Sequence, residues 1–198
     1  MSSAASWEDA DVSGSEVSPG KAKRNVTITA AIAGLSGLLF GYDTGIIAGA
    51  LLTITPEFGL NSFQAGMVVG AVPIGAVAGA WFASFGADRY GRRSLILVSA
   101  AVFIVGAIVS AIAPDTLVLI LSRVLIGVGI GVASAVAPVY ISEVAPAEIR
   151  GSLVTFFQLA VTIGILVAYL VGFAFTDVDE GWRWMLGLGA LPALILAI

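Results

Sequence analysis

The chain contains neither cysteine nor histidine, and only 11% of its 198 residues are charged. Without cysteine it has no disulfide and no thiolate chemistry, and without histidine it lacks the commonest general base and metal ligand. Hydrophobic residues make up 59% of the sequence and the mean hydropathy is +1.04, whereas soluble domains are about 25% charged. The composition therefore excludes a water-soluble globule, and we expect no enzyme activity, no metal and no cofactor.

The net negative charge comes from the N-terminal segment. The formal charge is −4, yet the first twenty residues contain four acids and no Lys or Arg. The later charges balance, so no basic surface indicates nucleic acid as a partner. Residues 1–25 are rich in Ser, Gly and acids and bury too little apolar area to fold. We predict that they form a disordered acidic leader, which ends in a basic cluster at the membrane edge.

From residue 26 onward, apolar runs alternate with short polar breaks. A helix needs about 20 residues to cross the hydrocarbon core of a bilayer. Five runs reach that length, and a sixth begins near Arg183 and is still apolar at Ile198. The predicted helices cover residues of about 26–52, 64–85, 94–113, 116–139, 152–175 and 183–198. The sequence thus predicts an all-α membrane unit over residues 26–198, with its sixth helix incomplete.

The distribution of cations predicts the orientation, because cytoplasmic loops carry the excess of Lys and Arg. Seven of the nine cations fall in the leader, the loop between spans two and three, and the loop between spans four and five. The opposite side has only Arg183. We therefore predict a multi-pass protein of the cell membrane with a cytoplasmic N-terminus.

Glycine recurs every four residues in the first span, at Gly37, Gly41, Gly45 and Gly49. Small residues at this spacing let helix backbones approach closely in lipid. The pattern predicts that the first span packs in the interior of the bundle.

Two ionisable residues lie well inside predicted spans, Asp43 and Arg123. A charge at the centre of a membrane helix costs about 2.5–3.5 kcal/mol, so such residues usually face a cavity or each other. At about 1.5 Å per residue, both lie about 12–13 Å below the outer face. Matching depth predicts a pair if the two helices are neighbours. A carboxyl that is paired in one conformation and protonated in another is a proton-coupled switch, although a static structural pair stays open.

Other polar residues suggest a binding site and an ion-pair gate on the cytoplasmic side. Gln158 lies about 10 Å above the cytoplasmic end of the fifth span, where its amide suits either a polyhydroxyl ligand or a neighbouring helix. On the cytoplasmic side, Glu143 or Asp88 is placed to bridge to the arginines of the loops. The alternative is that these arginines only set the orientation.

Several motifs, in order and at characteristic spacings, make the chain resemble the sugar porter family of the major facilitator superfamily. They begin with Phe40-Gly41-Tyr42-Asp43-Thr44-Gly45 and the loop string Gly86-Ala87-Asp88-Arg89-Tyr90-Gly91-Arg92-Arg93. They continue with Arg123 followed by Gly127, Gly129 and Gly131, and then with the segment from Pro138 to Gly151. The last motifs are Gln158-Leu159-Ala160, the segment from Ile163 to Leu166, and Trp182-Arg183. The resemblance covers nearly all of the chain from residue 26.

This resemblance implies twelve helices in two halves, each built from a 3+3 repeat, and alternating access around a central sugar site. The present chain resembles the first half, so a C-terminal six-helix half is the expected partner. By position, Gln158 would bind the sugar, and Phe40 and Ile165 would line the cavity. Asp88, Arg89, Gly91, Arg92, Arg93, Glu143 and Arg150 would form the cytoplasmic gate network.

The leading hypothesis is a sugar/proton symporter of the bilayer, for a hexose or a pentose. The family's symporters tend to have Asp at the position of Asp43 and its facilitators Asn, so the resemblance favours symport, with Arg123 as the partner of Asp43. A sugar uniporter and a transporter of another polyol or organic solute stay open. So do a sugar sensor that does not transport, and an inert fragment.

Overall fold

The computed structural model describes the backbone of residues 19–146 and 148–197, and side chains from residue 30 with gaps at 88, 142, 144, 147 and 198. The described residues form helices and no strand. The helices are α1 (Pro19–Phe58), α2 (Ser62–Tyr90), α3 (Arg92–Ala111), α4 (Thr116–Val144), α5 (Arg150–Phe175), α6 (Gly181–Leu188) and α7 (Ala190–Leu196). Five of these helices have the length and apolarity to cross a membrane, which confirms the predicted all-α membrane class.

The helix ends follow from local polar residues. Asn61 and Gln64 form a capping box at the start of α2, with each side chain accepting a hydrogen bond from the other residue's backbone N–H at 3.0 and 2.8 Å. Asp115 caps α4 by accepting from the Val118 N–H at 2.9 Å. Gly91 separates α2 from α3 with a φ of 81°, a conformation that disfavours any residue with a Cβ.

The first helix is longer than the predicted 26–52. It begins at Pro19, where a proline fits because the first helical N–H needs no partner. It therefore includes the end of the predicted leader, and the rest of that leader, residues 1–18, lies outside the described residues. At the other end Pro56 falls inside the helix, so it does not mark a break there.

The sixth span differs from the single predicted helix 183–198. The structure has two short helices, α6 and α7, that meet at Gly189. Gly187 and Gly189 weaken the helix here, and Pro192 lacks the N–H that would continue the hydrogen-bond ladder. Gly189 itself keeps helical backbone angles, with a φ of −58° and a ψ of −23°, so the interruption is a local change in the hydrogen-bond ladder of a continuous apolar run.

Two close helix pairs organise the bundle, and glycine makes both possible. α1 runs parallel to α5, with Gly37 against Phe157 and Gly41 against the carbonyl of Val161. α2 runs parallel to α4, where a Cβ on Gly75 would stand 3.0 Å from the Cα of Gly127. α1 also packs against α4, α6 and α7, so the first span lies inside the bundle.

Candidate functional site

A buried ion pair joins α1 to α4. Arg123 Nη1 donates to Asp43 Oδ1 at 2.6 Å, and the two residues are only 1% and 4% exposed. Arg123 Nε is buried and has no hydrogen-bond partner among the described residues. Two charges removed from water depend on each other, because either one left alone would be costly. The two predicted intramembrane charges thus lie in direct contact.

Hydrogen bonds from adjacent residues hold the helices around this pair. The Tyr42 hydroxyl donates to the carbonyl of Met185 at 2.7 Å and so ties α1 to α6. The Oγ atoms of Ser110 and Ser122 lie 2.7 Å apart and join α3 to α4. Both contacts are buried, where a hydrogen bond is electrostatically strong. The ion pair is therefore fixed within a frame of α1, α3, α4 and α6.

The predicted sugar-site residues lie along α1 and α5. Phe40 is 38% exposed, Gln158 is exposed, and Ile165 is partly buried. The close packing of Gly37 on Phe157 sets Phe40 and Gln158 at similar heights. Gln158 could have served to hold helices together, but its amide makes no hydrogen bond with the described residues. Its donors and acceptor are accordingly available to another molecule.

At the predicted cytoplasmic end, one ion pair joins the start of α3 to the end of α4. Arg92 Nε lies 2.9 Å from both carboxylate oxygens of Glu143, and Arg92 Nη2 lies 2.7 Å from its Oε1. The hydrogen bond from Arg92 lowers the pKa of the Glu143 carboxyl below its usual value. Glu143 therefore stays charged and keeps its partner in neutral and mildly acidic solution.

The other predicted gate residues make separate contacts. Arg150 Nε donates to the carbonyl of Ala145 at 2.9 Å and closes the loop before α5. The Arg89 guanidinium lies 5.7 Å from the ring centre of Tyr90, within the range of a cation–π contact. Arg93 is exposed. The side chain of Asp88 is outside the described residues, so the structure brings together Arg92 and Glu143 from this set.

A second polar cluster lies at the opposite end of the bundle, where the sequence predicts no site residue. The buried Trp182 donates from Nε1 to Glu57 Oε2 at 2.6 Å, which joins α6 to α1. Arg183 stacks on the Trp182 ring at 4.3 Å. Its Nη1 also donates to the carbonyls of Ala111 and Ala113, at 3.2 and 2.9 Å. The signal available in the sequence was an aromatic residue and a cation together at the start of an apolar run.

The class of protein follows from the fold: the chain is a multi-pass membrane protein with a major facilitator superfamily architecture. It superimposes on the proton:xylose symporter XylE of E. coli, solved with 6-bromo-6-deoxy-D-glucose bound, with a TM-score of 0.82 and 29% sequence identity. The matched region covers 88% of this chain and 44% of that one.

The family is shown by sequence. The chain belongs to the family described as "Sugar (and other) transporter", whose model matches residues 28–198. It is 49% identical over 162 residues to a D-xylose transporter of Levilactobacillus brevis, covering 82% of this chain and 35% of that protein. It is 47% identical over 167 residues to a galactose-proton symporter of E. coli K12, covering 84% and 36%.

These comparisons confirm the predicted family. The chain spans 35–36% of the length of the two curated relatives.

Proposed function

We propose that this chain is the N-terminal half of a secondary active sugar transporter that couples uptake to protons. The observation that carries the proposal is the buried contact of 2.6 Å between Arg123 Nη1 and Asp43 Oδ1. The names of two relatives, a galactose-proton symporter and a proton:xylose symporter, support the same coupling. Because the relatives are longer, a second six-helix half completes the transporter and supplies the other wall of its cavity.

The coupling works through the charge state of Asp43. As a carboxylate, Asp43 holds the Arg123 guanidinium and ties α1 to α4. A proton on Asp43 neutralises it and removes the attraction, so the two helices can separate in the conformation that carries sugar. Return of the proton to water on the other side restores the pair. Sugar and proton then cross together because the rearrangement requires both.

The sugar is a hexose or a pentose, and the binding residues proposed in this half are Gln158, Phe40 and Ile165. An exposed amide with unused donors and acceptor matches the hydroxyls of a sugar, and an aromatic ring matches its apolar face. The proposed cell-membrane orientation has the N-terminus in the cytoplasm, since most cations lie at that end.

The proposed cytoplasmic gate lies around the junction of α2 and α3 and the end of α4. Its residues are Asp88, Arg89, Gly91, Arg92, Arg93, Glu143 and Arg150. Arg92 and Glu143 supply its described cross-link between helices, at 2.7–2.9 Å. We propose that this ion pair is made while the cytoplasmic side is closed and is broken when the halves rock to open it. The gate residues thereby favour the outward-open state.

Asp43→Asn in the complete transporter tests the coupling. Asparagine keeps a hydrogen-bond acceptor for Arg123 but does not bind the proton, so sugar-driven proton uptake and accumulation against a gradient should be lost. Exchange of labelled sugar across the membrane should remain. Asp115→Asn is the matched control, because Asp115 is an exposed helix cap and asparagine caps as well. If Asp43→Asn still accumulates sugar against a gradient, Asp43 does not carry the coupling proton and its pair with Arg123 is structural. If the wild type itself does not accumulate sugar, the transporter is a uniporter.

A further inference from the structure

Ser36 is a buried polar residue whose hydroxyl has no partner. It lies on α1, is 3% exposed, and its Oγ makes no hydrogen bond with any described residue. Serine in a helix commonly satisfies its hydroxyl on a carbonyl of the preceding turn, as Ser99 does by donating to the carbonyl of Ile96 at 2.7 Å. A buried hydroxyl without a hydrogen-bond partner is costly. The burial of Ser36 therefore indicates a partner for its hydroxyl that the described residues do not supply.

A small cavity adjoins this hydroxyl between α1, α3 and α4. Its volume is about 10 Å³, and its lining includes the three serines Ser36, Ser99 and Ser134. Gly129 keeps the α3 and α4 backbones together here, since a Cβ at this position would stand 2.9 Å from the carbonyl oxygen of Ser99. Two of its lining residues, Phe40 and Ser134, are exposed.

The size of the cavity limits its occupant to a single oxygen. One water molecule needs a cavity of about 10–15 Å³ and two to four polar partners. Ser36 offers both a donor and acceptors, and Ser99 keeps acceptor capacity after its bond to Ile96. A sugar ring does not fit, but one hydroxyl group projecting from a sugar held next to Phe40 does.

We propose that Ser36, Ser99 and Ser134 form a subsite for one hydroxyl oxygen, which is supplied by a water molecule or by a hydroxyl of the bound sugar. Ser36 precedes Phe40 by one helical turn and Asp43 by two. The subsite therefore adjoins Phe40 and, in the proposed orientation, lies on the cytoplasmic side of the ion pair. The sugar as a source rests on the proposed function, whereas water does not.

Thermal melting of the purified complete transporter without sugar tests whether the subsite is occupied. If Ser36 binds an oxygen, Ser36→Ala removes that bond and the melting temperature falls, by about 1–2 °C for the loss of one hydrogen bond in a protein of this larger size. If the cavity is dry, Ser36→Ala removes an unsatisfied hydroxyl and introduces a better helix former, so the melting temperature rises or stays constant. That second result would overturn the proposal.

Matched variants keep this test interpretable. Ser110→Ala is the positive control, because the Ser110 hydroxyl is equally buried and is paired with Ser122. Its melting temperature should fall by a similar amount. Ser134→Ala, at the exposed mouth of the cavity, should show a smaller fall even if Ser36→Ala gives too little protein to measure. A rise or no change in Ser134→Ala would then count against the subsite.

Transport kinetics distinguish the two sources of oxygen. D-xylose and D-galactose, with their monodeoxy analogues, are the probes. If a sugar hydroxyl occupies the subsite, Ser36→Ala raises the KM of the parent sugar about five-fold, the equivalent of one hydrogen bond, and leaves the KM of the matching deoxy analogue unchanged. An unchanged KM for every probe, together with the lower melting temperature, identifies water. If neither sugar is transported by the wild type, the proposed substrate class fails while the melting result stands.

Discussion

Replacing Gly41 by alanine should separate two helices that now touch through their backbones. A Cβ at Gly41 would collide with the carbonyl oxygen of Val161 on α5. Two turns along the same helix, a Cβ at Gly49 would meet the Cα of Gly172 at 3.4 Å, an ordinary van der Waals contact. The two glycines share one face of α1, yet only Gly41 needs the absence of a side chain.

The expected magnitudes follow from two opposing terms. Alanine is the better helix former by about 1 kcal/mol, and this gain applies at both positions. Overpacking costs about 1–3 kcal/mol, and the upper part of that range applies at Gly41 because the obstacle is the backbone of a regular helix, which no rotamer change relieves. Gly41→Ala should therefore destabilise by about 2 kcal/mol, while Gly49→Ala should stabilise by up to about 1 kcal/mol.

Melting of the two variants in detergent measures this difference directly. Gly49→Ala should melt at or above the wild-type temperature, and Gly41→Ala several degrees below it. Gly41→Ala should also impair transport, because the displaced α1 carries Asp43. Equal melting temperatures for the two variants would show that α1 and α5 do not approach as closely as described, and the packing argument would fail.

Two further sets of substitutions probe the predicted cytoplasmic end and the middle of the bundle. Glu143→Arg should reduce uptake by placing like charges together, and the exchange Arg92→Glu with Glu143→Arg should restore part of it. Since the pKa of Glu143 is lowered, the stabilisation by the pair is present above the ordinary glutamate pKa of about 4.3 and is lost only in stronger acid. The fraction of wild-type uptake that Glu143→Arg loses should therefore be equal at about pH 5.5 and 7.5. Tyr42→Phe removes the donor to the Met185 carbonyl and should lower stability by about 1–2 kcal/mol in a melting assay, whereas the exposed Tyr169→Phe should have no effect.

The contact between Asp43 and Arg123 was within reach of sequence reasoning because it depends on two simple quantities. Apolar runs locate the helix ends, and a rise of 1.5 Å per residue converts distance along a run into depth. The cost of an isolated charge in lipid then requires a partner, and a single cation lay at the right depth. Only the adjacency of α1 and α4 had to come from the structure, since neighbours in a bundle are not encoded in depth.

The cluster of Glu57, Trp182 and Arg183 could not be derived in the same way. These residues lie at helix ends, where a charged or aromatic side chain has an ordinary explanation as a cap or an interface anchor. Their contacts join residues 70 to 125 positions apart, and they depend on how the ends of α1, α3 and α6 converge. A pattern along one helix contains no information about that convergence.

The break between α6 and α7 shows why apolarity alone misjudges a membrane helix. Hydropathy measures the cost of placing side chains in lipid, whereas helix continuity depends on where each backbone carbonyl finds a donor. At the break, the N–H of Gly189 bonds to the carbonyl of Leu186, so the carbonyl of Met185 loses its usual donor four residues on. The Tyr42 hydroxyl supplies one instead, at 2.7 Å. Tyr42 directly precedes Asp43, so the residue that pairs with Arg123 and the residue that supplies the donor at this break are neighbours on α1.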